Sequence, residues 1–167
     1  MIETERLILI PVTKADFDIY KDIMSCPVMS LYLPKEAPYS DEEVFLHIVK
    51  RVEHWKQGFG SFIVYLKNEP NIKLGYTGIE VSPNIKCSDI RYGFKKNAQG
   101  YGYAYEAARA VLEHTFTLGK HDKIYGVAVK ENIPSVKILE KLGMTVDKST
   151  VIYDDKKLVT LSIEKFV

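Results

Sequence analysis

Hydrophobic and polar positions change period several times along this chain, and each change marks an element. Residues 6–12 carry the apolar, β-branched run Leu7, Ile8, Leu9, Ile10, which predicts a strand. Thr13 stands three before Asp16, a loose capping signal, and Phe17, Tyr20, Ile23 and Met24 then recur on one helical face. Cys26-Pro27 and Leu33-Pro34 punctuate a turn-rich stretch that runs to Pro38. Ser40-Asp41-Glu42-Glu43 is a capping box, after which Val44, Ile48, Val52 and Trp55 follow at helical spacing until Gly58.

The middle of the chain is strand-like. Residues 61–67 and 72–81 flank Asn68-Glu69-Pro70-Asn71, a hairpin turn by composition, and a third run covers 89–94. A helix is predicted over about 103–118, with Ala104, Ala107, Ala108, Val111, Leu112 and Thr115 on one face and Gly119 at its end. Residues 123–129 read as a strand, 133–142 as a short helix closed by Gly143, and 145–153 and 156–166 as strands turning at Asp154-Asp155. The link from Phe94 through the long helix to Ile124 is long enough for a right-handed parallel crossover. The expected fold class is therefore α/β, with a mixed sheet covered by helices on both faces.

Length and composition fit one domain over residues 1–167 better than two. Lys and Arg total 23 against 22 Asp and Glu, a net charge of +1, which argues against a general nucleic-acid binder. No run of 18 apolar residues occurs, so no membrane span is expected. The start lacks the pattern of a signal peptide, and Cys26 and Cys87 read as two reduced thiols, so the expected location is cytoplasmic.

The segment richest in chemistry is Asn97-Ala98-Gln99-Gly100-Tyr101-Gly102-Tyr103-Ala104, between a strand and an Ala-rich helix. Glycines at 100 and 102 let the backbone turn and approach a ligand closely. The helix aims its unpaired N–H groups back at this loop, where a diphosphate is the natural guest. A plain glycine-rich connection would look the same. A dinucleotide fingerprint would need glycine where Tyr105 stands, and no Gly-Lys-Ser/Thr phosphate loop occurs.

Gln99-x-x-Gly102-x-Ala104 resembles the pyrophosphate-binding signature of the GNAT acetyltransferase superfamily. A second match is the run from Asn132 through Ser135 to Lys141-Leu142-Gly143-Met144, similar to the family's Asn-x-x-Ser and following helix. Glu3-Thr4-Glu5-Arg6-Leu7-Ile8-Leu9 resembles the branch containing ribosomal-protein-alanine N-acetyltransferases. The resemblance spans almost the whole chain and implies a mostly antiparallel central sheet. It implies that acetyl-coenzyme A lies between splayed strands ending at Phe94 and Val129. Main chain near Phe94 would hold the pantetheine arm and polarise the thioester. Amides of Gln99, Gly100, Tyr101, Gly102, Tyr103 and Ala104 would bind the pyrophosphate, Asn132 would touch the cofactor, and Ser135 would protonate the leaving thiolate. Tyr101 and Tyr103 depart from the small or basic residues frequent in relatives.

Direct transfer to an amine needs a base, because only an unprotonated amine attacks. Glu80 and Asp89, at the ends of central strands, are the candidates, with Tyr92 expected to point into the same region. No cysteine sits in a nucleophile's context, and His47, His54, His114 and His121 form no metal motif, so no metal is expected. The acceptor is expected to be a small amine or a peptide N-terminus, and the protein a monomer or homodimer. The competing reading is a non-catalytic domain that binds acyl-coenzyme A and signals its level. Ser135 together with the complete loop favours the enzyme.

Overall fold

The computed structural model describes residues 1–84 and 86–165, so the predicted strand end at Phe166 lies outside the described residues. Strands are β1 (Ile2–Glu3), β2 (Leu7–Pro11), β3 (Ser61–Leu66), β4 (Glu69–Val81), β5 (Ser88–Phe94), β6 (Lys123–Val129), β7 (Thr145–Val146) and β8 (Leu158–Glu164). Helices are α1 (Phe17–Met24), α2 (Asp41–His54), α3 (Tyr103–Thr117) and α4 (Ile133–Lys141). Among the described residues the strands form one sheet in the order β1-β2-β3-β4-β5-β6-β8-β7. Among these described strands only β5 and β6 pair in parallel, joined by the α3 crossover. The α/β class and the mostly antiparallel sheet are as the sequence indicates.

Strand alternation assigns the two faces. Phe62 and Val64 of β3 pack with Ala107, Ala108, Val111, Leu112 and Phe116 of α3 and Leu139 of α4. Ile63 between them points the other way, into a second core with Ile19, Tyr20, Ile23 and Met24 of α1 and Val44 and Ile48 of α2. The α2 capping box forms as read: Ser40 Oγ accepts from Glu43 N at 3.2 Å, and the Glu43 carboxylate accepts from Ser40 N at 2.7 Å. Alanines in α3 let it lie close against the sheet. Gly126 does the same for α4, since a Cβ there would stand 2.5 Å from Leu139 Cδ2.

Two expectations change. The hairpin turn is tighter than 68–71, because Leu66 pairs with Glu69 and leaves only Lys67 and Asn68 in the loop. The predicted strand over 145–153 stops at Val146. Asp147 ends it: Oδ1 accepts from Ser149 N and Oγ at 2.9 and 2.6 Å, an Asx turn. Its Oδ2 takes bonds from Ser162 Oγ at 3.0 Å and Lys123 Nζ at 2.6 Å. The final strand instead pairs along its whole length with β6.

Candidate active site

The β5–β6 ladder contains only the pairs Asp89↔Tyr125 and Ile90↔Gly126, although the strands continue to Phe94 and Val129. Beyond Ile90 they diverge, and the β5 edge that faces β6 loses its ladder partner. The resulting wedge opens toward the two segments that follow these strands. One is the glycine loop leading into α3; the other is the turn into α4.

In the loop, Gly100 and Gly102 adopt φ of 85° and 80°, a left-handed conformation that side chains resist. Among the described residues, space around Gly100 is open, and a Cβ at Gly102 would be approached only by Arg6. The first intrahelical donor of α3 is Glu106 N, bonded to the Gly102 carbonyl at 3.1 Å. N–H groups from Gly102 through Tyr105 therefore precede the helical ladder. The Gln99 side chain turns back instead and donates to the Phe94 carbonyl at 3.1 Å, tying the loop to the end of β5. Tyr101 is exposed and stacks on Tyr103, their ring centroids 5.5 Å apart. Ala104 packs against the core under α3.

Across the wedge, Asn132 occupies the N-cap of α4 without a side-chain capping bond. Ser135 lies in the first turn, and its Oγ sits 2.9 Å from the Tyr92 hydroxyl. Tyr92 Oη also reaches the Ser135 carbonyl at 2.9 Å. Burial pushes the Tyr92 phenol up to about 12, so it remains neutral. Ser135 is thus partnered across the wedge by β5.

Glu80 and Asp89 face each other across the β4–β5 ladder, but on the α1–α2 side of the sheet. Tyr92 does not join them, contrary to expectation: it is three residues beyond Asp89, and alternation turns it toward α4. Glu80 is buried, accepts from Ser61 Oγ at 2.6 Å and from Arg91 Nη1 at 3.0 Å, and is gripped by Arg51. Burial disfavours its charge, but the Arg51 and Arg91 guanidiniums outweigh that and hold the carboxyl below its usual range. Asp89 accepts from Arg91 Nη2 at 3.0 Å and from the Tyr153 hydroxyl at 3.3 Å. Nearby, His47 is lowered to about 3 by burial and then by Arg51, so its imidazole is neutral. The Tyr20 hydroxyl and Arg51 Nε are buried without a hydrogen-bond partner among the described residues.

The wedge, the glycine loop and the Ser135 turn fall within residues 6–145, which match the family model described as acetyltransferase (GNAT) domain. The chain belongs to the GNAT acetyltransferase family. It is an acetyl-coenzyme A-dependent acetyltransferase. Over 143 residues it is 27% identical to the uncharacterized N-acetyltransferase YnaD of Bacillus subtilis, covering 86% of this chain and 81% of that one. Its fold is similar to that of an acetyltransferase from Agrobacterium tumefaciens, with a TM-score of 0.86, 24% identity, and 98% and 93% of the two chains covered. It is also similar to the ribosomal L7/L12 alpha-N-protein acetyltransferase RimL in complex with coenzyme A, at a TM-score of 0.76, 15% identity and 96% and 95% coverage. The spermidine N-acetyltransferase of Vibrio cholerae, solved with coenzyme A and spermine, has a TM-score of 0.75, 18% identity and 96% coverage of both chains.

Sequence reasoning on this acetyltransferase missed Arg51, Ser61, Arg91 and Tyr153. One signal was available: Arg51 falls on the buried stripe of α2, three residues after Ile48 and seven after Val44. A charge on such a stripe requires a buried partner. Among the described residues no helix is long and apolar enough to cross a membrane, and no group of three His, Cys, Asp or Glu is placed to hold a metal.

Proposed function

We propose that this acetyltransferase moves the acetyl group of acetyl-coenzyme A directly to a primary amine, with Ser135 as the proton donor to the leaving sulfur. The observation that carries the reading is the Ser135–Tyr92 hydroxyl pair at the wedge, opposite the glycine loop. The residues present suit coenzyme A, because the positive-φ glycines leave main-chain N–H groups uncovered where a diphosphate would lie. Bound there, acetyl-coenzyme A supplies an activated thioester. Amides of Gly100 through Ala104 and the Asn132 side chain would hold the cofactor, whereas the Gln99 N–H, expected to join them, already donates to the Lys96 carbonyl at 3.3 Å. Main chain at the open edge near Phe94 would orient the acetyl carbonyl and stabilise its developing negative charge.

Ser135 and the carboxylates lie on opposite faces of the sheet, and the wedge is where the faces meet. The amine enters from the α1–α2 side, and the sulfur departs toward α4. Glu80 and Asp89 are engaged by arginines, so we assign them to orienting the acceptor side, with the amine proton leaving through water beside this cluster. RimL and the spermidine enzyme carry names for a protein N-terminus and a polyamine, which frames the two acceptor classes proposed here. The test measures free thiol released from acetyl-coenzyme A with peptide N-termini and with small amines as separate panels. Acceptor-dependent release supports the reading; coenzyme A binding without release to any amine overturns it.

A further inference from the structure

The opening Thr4-Glu5-Arg6 takes no part in the chemistry above, yet it reaches the glycine loop from 95 to 102 positions away. Arg6 Nη1 donates to the Tyr101 carbonyl at 2.9 Å. Arg6 Nε and Nη2 hold Glu106 Oε2 at 2.7 and 2.6 Å. The Arg6 main-chain N–H and the Thr4 hydroxyl donate to Glu106 Oε1 at 3.0 and 2.6 Å. The guanidinium also lies over the Tyr103 ring, 4.7 Å from its centroid. Glu106 belongs to the first turn of α3, so the turn between β1 and β2 is fastened to the start of that helix.

A solvent-accessible ion pair of this kind contributes little to stability. Its placement points to a different use. The Tyr101–Gly102 peptide joins Tyr101 to Gly102, whose φ of 80° only glycine adopts freely, so this end of the peptide has no side chain to resist rotation. A trans peptide directs its C=O and N–H oppositely. With the Tyr101 carbonyl drawn to Arg6, the Gly102 N–H is turned away from Arg6, and the guanidinium is what fixes that choice.

We infer that Arg6, held by Glu106, is a positioning residue that locks the Tyr101–Gly102 peptide with its N–H presented to the diphosphate of coenzyme A. The inference rests on the loop being the diphosphate site, so the experiment includes a variant that tests the loop itself. Coenzyme A is titrated calorimetrically into the wild type, Arg6→Ala, Glu106→Ala and Gly102→Val, with thermal melts of each. Arg6→Ala and Glu106→Ala should each weaken binding about tenfold, the cost of ordering a loose loop on binding. In turnover, the KM for acetyl-coenzyme A should rise while kcat stays within about twofold, whereas a general structural defect would lower kcat and the melting temperature together.

If Arg6 instead touched the phosphates directly, Glu106→Ala would release its charge and tighten binding; that result overturns the inference. Wild-type affinity in Arg6→Ala, with affinity lost in Gly102→Val, also overturns it and leaves the loop site standing. Wild-type affinity in a folded Gly102→Val removes the loop reading itself. Should an alanine variant melt below the titration temperature, Arg6→Lys and Glu106→Gln take its place. A smaller loss in both supports the inference, and wild-type affinity in both overturns it.

Discussion

On the α3–α4 face of the sheet, the groups assigned to the wedge are main-chain amides, the side-chain amides of Gln99 and Asn132, one serine and one neutral phenol. On the α1–α2 face they are full charges, buried in Arg51, Glu80 and Asp89 and half-buried in Arg91, that pair with one another. On the proposed reading the first face needs little buried charge, because coenzyme A would bring its own. The second face has taken two carboxylates out of water and paired each with guanidinium, which holds the Glu80 carboxyl below its usual range. A carboxylate so paired is a poor proton acceptor, and the same pairing makes it costly to disturb. The comparison therefore predicts that changes on the α1–α2 face act first on stability, and changes at Ser135 first on turnover.

The largest effect should come from Glu80→Ala, which strands Arg51 inside the protein. Removing one partner of a buried pair costs about 3–5 kcal/mol, measurable by urea unfolding at neutral pH. Because the folded carboxyl is held below its unfolded value of about 4.3, its contribution is complete above that pH. It is lost as pH falls through the folded value. The wild type should thus lose stability on acidification faster than the variant. Equal unfolding free energies at neutral pH would erase the distinction between the faces. For turnover, a Glu80 carboxyl held below its usual range contributes no acidic limb, so any limb at pH 6–8 should shift with the basicity of the amine and persist in a folded Glu80→Gln.

Ser135→Ala should lower kcat by roughly ten- to a thousandfold, since proton donation matters only as the carbon–sulfur bond breaks. Coenzyme A affinity and melting temperature should barely change. The reverse pattern, a loss of about 1 kcal/mol in stability with turnover intact, is that of a local helix cap. The geometry favours the first pattern, because Ser135 Oγ is bonded to Tyr92 of β5 rather than to the backbone of its own turn.

What could be read in advance follows the same division. The capping box at Ser40, the α3 stripe and the glycine loop are local patterns, each legible within a dozen residues. The parallel crossover from β5 to β6 followed from the length of its connection. The α1–α2 face was not legible in this way, because Arg51, Ser61, Glu80 and Arg91 come from four elements and act only once assembled. Glu106 was opaque for the same reason, since its partners stand at Thr4 and Arg6. Tyr92 was assigned to the wrong face, although counting two-residue alternation from Asp89 would have placed it correctly. Asp147 ended a strand that apolar content alone would have continued, because a side-chain turn competes with the ladder.

The smallest effect sharpens the comparison most. Tyr92→Phe keeps the buried ring and removes only the hydroxyl that meets Ser135, so it asks whether the serine works alone. If Tyr92 merely restrains the Ser135 rotamer, kcat should fall about three- to tenfold, the worth of one net hydrogen bond of about 1 kcal/mol. The affinity for coenzyme A should hold, because the loop amides are untouched. The phenol is pushed up to about 12, so it carries no charge at working pH, and the pH–rate profile below pH 10 should be the same in both proteins. A loss as large as that of Ser135→Ala would mean that the two hydroxyls act as one unit, with Tyr92 passing its proton to Ser135 as Ser135 gives its own to sulfur. The double variant separates these outcomes: additive losses assign the residues independent roles, and a double variant no slower than Ser135→Ala makes Tyr92 wholly dependent on the serine.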